Sequence, residues 1–78
     1  MRVKAFGIAK EILGNSSIYI EPNTVTTVRQ LKDYLYERYP EMLHLKTMAI
    51  AVNQSYATDD TNLTEEAEIV IIPPVSGG

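Results

Sequence analysis

The sequence predicts an α+β fold: a small mixed sheet with one main helix packed across it and an extended C-terminal tail. Three observations carry that prediction. Short runs around residues 3, 18 and 50 alternate apolar and polar positions with the period of a half-buried strand. One longer stretch, Val28 to Tyr39, repeats its apolar residues at helical spacing. The chain then closes on an apolar run followed by Pro73, Pro74 and a terminal Gly77-Gly78.

Residues 2–8 read as the first strand, with Val3, Ala5 and Gly7 on one face and Lys4, Phe6 and Ile8 on the other. Ala9 to Leu13 suits a short helical turn stopped by Gly14, where a left-handed residue closes a helix most easily. Asn15-Ser16-Ser17 has turn chemistry, and Ser17 to Glu21 forms a second strand with Ile18 and Ile20 on one face. Two strands so close in sequence pair most simply as a hairpin with an elaborated loop. Thr27-Val28-Arg29-Gln30 fits a capping box, in which the Thr27 hydroxyl accepts from the backbone three residues on and Gln30 reaches back. The helix that follows carries Val28, Leu31, Leu35 and Tyr39 as its core stripe, and Pro40 ends it by disfavouring helical geometry at Tyr39. Residues 41–47 carry no clear signal. Met48 to Asn53 is a third strand, Asn53-Gln54-Ser55 a turn, and Tyr56-Ala57 the start of a short return strand. Thr58 to Asn62 is a polar loop. In the last strand, Glu68 to Ile72, four successive apolar residues (Ile69 to Ile72) require cover on both faces. The long helix can cover one; the other needs a loop or a partner protein. The order ββαββ does not settle strand order, and ferredoxin-like halves and other small folds share it.

Size and composition narrow the function. A chain of 78 residues is one domain with a small stability margin. No cysteine means no disulfide, no thiol nucleophile and no thiolate metal site. That, with an N-terminus unlike a signal peptide and no apolar run near the ~20 residues of a membrane span, fits a cytoplasmic protein. A net charge of −3 without a basic patch argues against nucleic acid and anionic membrane as partners. His44 stands alone, Asp59-Asp60 lies in a polar loop, and Tyr34, Tyr36 and Tyr39 belong to the helix. With no phosphate loop, nucleophile set or zinc spacing, a self-sufficient enzyme is not expected.

The tail is the informative feature. Residues 1–72 are expected to fold as the domain, and 73–78 to extend from it. Pro73 and Pro74 cannot donate to a sheet ladder and hold φ fixed, so they lift the chain off the sheet. From Pro74 to Gly78, through Val75, Ser76 and Gly77, full extension reaches ~16 Å at ~3.3 Å per residue. Gly77 and Gly78 can enter a channel too narrow for a Cβ. Such a tail suits delivery of its own α-carboxylate into another protein's site. A bare Gly-Gly end is more often a frayed terminus; the preceding Pro-Pro-Val-Ser and apolar strand change that balance.

Ile72-Pro73-Pro74-Val75-Ser76-Gly77-Gly78 resembles the tail of the small subunit of molybdopterin synthase, the MoaD family. Ala51-Val52-Asn53-Gln54-Ser55-Tyr56 is similar to that family's Val-Asn turn, Phe6 to Gly14 to its strand-to-helix opening, and Val28 to Pro40 to its helix ending in Tyr-Pro. The resemblance spans nearly the whole chain, and its tail is the specific part. It implies a β-grasp fold, as in ubiquitin, and a sulfur carrier. An E1-like enzyme adenylates the C-terminal glycine, here Gly78, consuming ATP, and a sulfur donor converts it to a thiocarboxylate. The tail enters the large subunit, where the sulfur passes to cyclic pyranopterin monophosphate in molybdenum cofactor biosynthesis. Catalytic side chains are expected on the large subunit, and no bound cofactor or metal here. The family's apolar docking patch falls on Phe6, Tyr56 and Ile72. Two departures stand out: Glu65-Glu66-Ala67-Glu68 lacks the family's turn glycine, so that turn should differ, and Ile72 replaces a broader aromatic. A thiamine thiazole sulfur carrier, a ubiquitin-like modifier joined to lysines through Gly78, and a plain interaction domain remain the alternatives.

Overall fold

Strands from opposite ends of the chain meet at the centre of the sheet. The computed structural model describes residues 1–21, 23–45 and 48–73. In it β1 (Arg2–Ala5) runs parallel to β5 (Ile69–Ile72). With β2 (Ser17–Tyr19), β3 (Ala49–Val52) and β4 (Ser55–Tyr56), they form one five-stranded sheet in the order β2-β1-β5-β3-β4. All pairings other than β1 with β5 are antiparallel. This mixed sheet, crossed by α2 (Val28–Arg38), is the β-grasp arrangement.

The helices follow from local chemistry. At α1 (Gly7–Leu13), Gly14 closes the C-terminus in the left-handed region, φ 76°, and its N–H donates to the Lys10 carbonyl. In α2 the Gln30 N–H donates to Thr27 Oγ1 at 3.2 Å, as the capping box requires. Gln30 reaches back one residue further than expected: its Oε1 accepts from the Thr26 N–H at 2.7 Å and the Thr26 hydroxyl at 3.0 Å. The next orphan donors, the N–H groups of Val28 and Arg29, are taken by the carbonyls of Thr61 and Asp59. Tyr39, at φ −129° and ψ 79°, ends α2 before Pro40. It is half-buried at the C-cap, where it packs against the core that Val28, Leu31 and Leu35 enter fully. The unassigned stretch after it is a 3-10 helix, Pro40–His44, that buries Met42.

The first two strands end earlier than expected, and the turn before β5 departs from a glycine turn as expected. The first strand stops at Ala5, because Gly7 turns the chain with φ 58° into α1; Ile8 therefore belongs to that helix, not to a strand face. The second strand ends at Tyr19, although the Ile20 N–H still donates to the Met1 carbonyl. The turn before β5 closes without a left-handed residue: the Ala67 N–H donates to the Thr64 carbonyl and the Ala67 methyl is buried. The β3–β4 connection does use positive φ, at Asn53 and Gln54, giving a two-residue hairpin whose twist matches the strands.

The core lies between the inner sheet face and the helices. Val3, Ala5, Ile50, Ile69 and Ile71 meet Val28, Leu31 and Leu35 of α2, with Ala9, Leu13 and Met42 filling the sides. Burying each large aliphatic side chain contributes about 1.5–3 kcal/mol, which is what a domain this small depends on.

Candidate functional site: the outer sheet face and the root of the tail

Strand alternation sends every second residue to the other face of the sheet, where no helix packs among the described residues. The register aligns Lys4 with Val70, Val70 with Ala51, and Ala51 with Tyr56. These residues form one row across four strands, about 14 Å wide at ~4.8 Å per strand. Ile72 pairs with Ala49 in the next row, and Phe6 continues β1 beyond Ala5, the partner of Ile71, to flank it. Phe6 is 58% exposed and Tyr56 76% exposed, while Val70, Ile72 and Ala49 are half-buried. The three residues singled out from the sequence, Phe6, Tyr56 and Ile72, thus share one face. Val70 and Ala49 join them. Val70 was visible in the apolar run, but Ala49 needed the β3–β5 register to be placed. Ala51 lies beneath this face and is buried.

Phe6 breaks a local rule. It occupies the N-cap of α1, where Ser, Thr, Asp or Asn would satisfy an orphan N–H, and it makes no side-chain cap bond. An aromatic exposed at a position that favours a small polar residue is the kind of local conflict that marks functional surface. Nearby, Lys4 and Glu68 form a solvent-exposed ion pair at 3.6 Å. In water such a pair contributes little stability, but it sets a charged margin beside the apolar rows.

The hairpin under Tyr56 is held from both sides. Asn53 Oδ1 accepts from the Glu68 N–H at 3.0 Å, and the Asn53 N–H donates to the Glu68 carbonyl at 2.8 Å. Asn53 therefore ties the β3–β4 turn to the entrance of β5, so the rows keep their register where β5 begins. At the other end, β5 leads into Pro73, which is half-buried. A Cβ built on Gly7 would lie 3.4 Å from Pro73 Cγ. Pro74, Val75, Ser76, Gly77 and Gly78 lie outside the described residues.

The remaining candidates are surface features. The Lys32 ammonium, 2.9 Å from Asp59, holds its carboxyl below the usual carboxylate range, first by hydrogen bonding and then by charge. Asp59 thus fastens the 58–61 loop to α2 rather than forming an acid–base pair with Asp60. His44 is exposed at the end of the 3-10 helix. Among the described residues no group of three or more His, Cys, Asp or Glu side chains could hold a metal, and no helix is long and apolar enough to cross a membrane.

The model of the ThiS family matches residues 3–78. A molybdopterin synthase sulfur carrier subunit from Caenorhabditis briggsae is 35% identical over 81 residues, covering 100% of this chain and 96% of its own length. Its counterpart from Dictyostelium discoideum is also 35% identical, over 99% of this chain and 94% of its own. In the complex of subunits 1 and 2 of the molybdopterin-converting factor from Helicobacter pylori 26695, a chain superposes with a TM-score of 0.69 at 27% identity, covering 99% of this chain and 96% of that one. SAMP1 from Haloferax volcanii superposes at 0.80 with 21% identity, covering 99% and 97%, a likeness that bears on the fold alone.

Proposed function

The chain belongs to the ThiS family, with the molybdopterin synthase sulfur carrier subunits of the MoaD family among its relatives, and from that premise we propose that it carries sulfur for molybdopterin synthesis on Gly78. The observation that carries this reading is the continuity of the outer face with the tail. Ile72, at the end of the strand that leads to Pro73, shares the outer face with Phe6 and Tyr56, so a partner seated there would receive whatever follows Pro73. The match to the family model runs through Gly78.

The proposed cycle uses the chain as substrate and arm. An E1-like enzyme lets the Gly78 carboxylate attack the α-phosphate of ATP; pyrophosphate leaves and an acyl-adenylate forms. Sulfide, or an equivalent sulfur donor, adds to the carbonyl carbon and AMP departs, leaving a thiocarboxylate. The outer face then docks on the large subunit, and the thiocarboxylate sulfur attacks a side-chain carbon of cyclic pyranopterin monophosphate, forming a carbon–sulfur bond as a carbon–oxygen bond breaks and the displaced oxygen leaves on the opened cyclic phosphate. Water cleaves the resulting acyl–sulfur bond, so the sulfur stays on the pterin and the Gly78 carboxylate is regenerated. The chain holds no cofactor of its own in this scheme, and its side chains contribute docking and reach rather than acid–base chemistry. The large subunit supplies the catalytic groups, and the carrier works in the cytoplasm, where ATP is at hand.

The deciding experiment is intact mass spectrometry of the chain after incubation with an E1-like activating enzyme, ATP and sulfide. The expected result is exchange of one oxygen for sulfur, localised to Gly78. No exchange, with an activating enzyme proven on another carrier, overturns the reading; isopeptide adducts on cellular lysines instead would make it a protein modifier. Co-purification with a thiazole synthase in place of a molybdopterin synthase large subunit would move the carrier to thiamine synthesis.

A further inference from the structure

Tyr56 is the most exposed large apolar side chain on the outer face, yet little holds the strand that carries it. β4 has two residues, both exposed, and lies at the edge of the sheet. Its far end is fixed where the Ala57 N–H donates to the Ile50 carbonyl at 2.9 Å. Its turn end is fixed by an exchange of groups in the ladder. β3 and β5 pair Val52 with Ile69, so Asn53 and Glu68 are the next facing residues, which in a continuing antiparallel ladder would exchange two backbone hydrogen bonds. One is of that kind: the Asn53 N–H donates to the Glu68 carbonyl at 2.8 Å. The other runs to a side chain. Asn53 has already entered the turn at φ 52°, and the Glu68 N–H donates to its Oδ1 at 3.0 Å. The side-chain amide thus stands in for a backbone carbonyl, so the turn begins while the rung stays closed. Few residues do both. Glycine takes the left-handed region freely but has no acceptor, and most side chains resist that region, with Asn among the exceptions. Glu68 also meets Lys4 of β1 at 3.6 Å, so the rung fastens the hairpin to a residue in touch with a third strand.

We infer that Asn53 is a positioning residue for docking: by closing the last rung between β3 and the entrance of β5 with its side chain, it holds the hairpin that presents Tyr56 to the large subunit. The inference rests on the carrier reading above. Its physical content is preorganisation. A ring on a two-residue edge strand has no packing of its own to order it, so the rung keeps Tyr56 opposite Ala51, in the row with Val70 and Lys4. A side chain that must first be ordered on binding contributes less to affinity, because the ordering entropy is subtracted from its contacts. Asn53 therefore acts on affinity through Tyr56.

Asn53→Gly tests this, because it keeps the backbone angles of the turn and removes only the acceptor. In titration calorimetry of the full chain with a molybdopterin synthase large subunit, Asn53→Gly is expected to weaken binding roughly fivefold to tenfold, and Tyr56→Ala by about tenfold or more. The double variant should bind no more weakly than Tyr56→Ala, since Asn53 acts through that ring. A purely structural role would not produce that coupling. Gln54→Gly, which loosens the same turn at its other positive-φ residue but leaves the rung, should bind like the unaltered chain. Amide exchange at Glu68 should quicken in Asn53→Gly and not in Gln54→Gly. Losses that multiply in the double variant, an affinity unchanged by Asn53→Gly or by Tyr56→Ala, or an equal loss in Gln54→Gly overturns the inference. If Asn53→Gly does not fold, Asn53→Asp takes its place: it offers an oxygen to the same N–H and should bind within roughly threefold of the unaltered chain, and a loss as large as that of Tyr56→Ala overturns the inference. An unaltered chain that neither acquires sulfur nor binds the large subunit would instead remove the carrier reading, a result distinguishable before any variant is made.

Discussion

The two faces of β5 are built from the same residue types and do opposite things. Ile69 and Ile71 have no exposed surface, and they pack among Val3, Ile50 and the α2 stripe. Val70 and Ile72, one residue along in each case, are only half-buried, and beside them stand the exposed rings of Phe6 and Tyr56. Hydropathy cannot tell these pairs apart. What differs is that the inner face has a helix to pack against, while the outer face has none among the described residues. Apolar surface kept out of contact brings no folding stability, and such a surface beside Pro73 is what the proposed docking requires.

That contrast predicts effects that separate cleanly between stability and binding. Ile71→Ala, which opens a cavity at a fully buried site between Ala5 and Ile50, should cost about 2–5 kcal/mol in denaturant unfolding. A cost typical of a surface site would mean that the inner face is not the core. Phe6→Asp should act almost entirely on association. It removes an aromatic anchor and puts a charge in the patch, worth about 2 kcal/mol or more in affinity for the large subunit by titration calorimetry. Yet Asp is a good N-cap, so the variant provides α1 with the cap it lacks and its melting temperature should hold or rise. A drop in melting temperature with unchanged affinity would put Phe6 in the fold and not in the interface.

Smaller effects sharpen the same division away from the sheet. Thr27→Ala removes the hydroxyl that receives the Gln30 N–H and should cost about 1 kcal/mol in stability, with docking untouched. Asp59→Asn should have the smallest effect, because the Lys32 pair is solvent-exposed. Since Lys32 lowers the folded-state pKa of Asp59, its contribution is present above the ordinary aspartate value of 3.8 and is lost as pH falls through the lower folded value. Asp59→Asn should therefore lower stability slightly at neutral pH and leave it unchanged in strong acid. An equal loss at both pH values would assign the effect to something other than the charge.

Local elements were legible in the residues because short-range physics decides them. The Thr27 cap, the stop before Pro40, the Gly14 closure and the Asn53-Gln54 turn each depend on neighbours within a few positions, and each is present. The tail's chemistry, read from Pro73 to Gly78, is an expectation of the sequence, and of that segment only Pro73 lies among the described residues. Boundaries were less legible: the first strand reads as continuing to Ile8, since a glycine in an alternating run carries no sign of whether it extends or turns. The pairing of β1 with β5, the placement of Ala49 beside Ile72, the tie from Asn53 to Glu68 and the approach of Pro73 to Gly7 were decided only in three dimensions. They join residues 15 to 66 positions apart, and no local preference encodes such a meeting. The sheet's hydrogen-bond ladder and the burial of one shared apolar face select it, and in doing so they bring the end of β1 beside the end of β5, where the chain reaches Pro73.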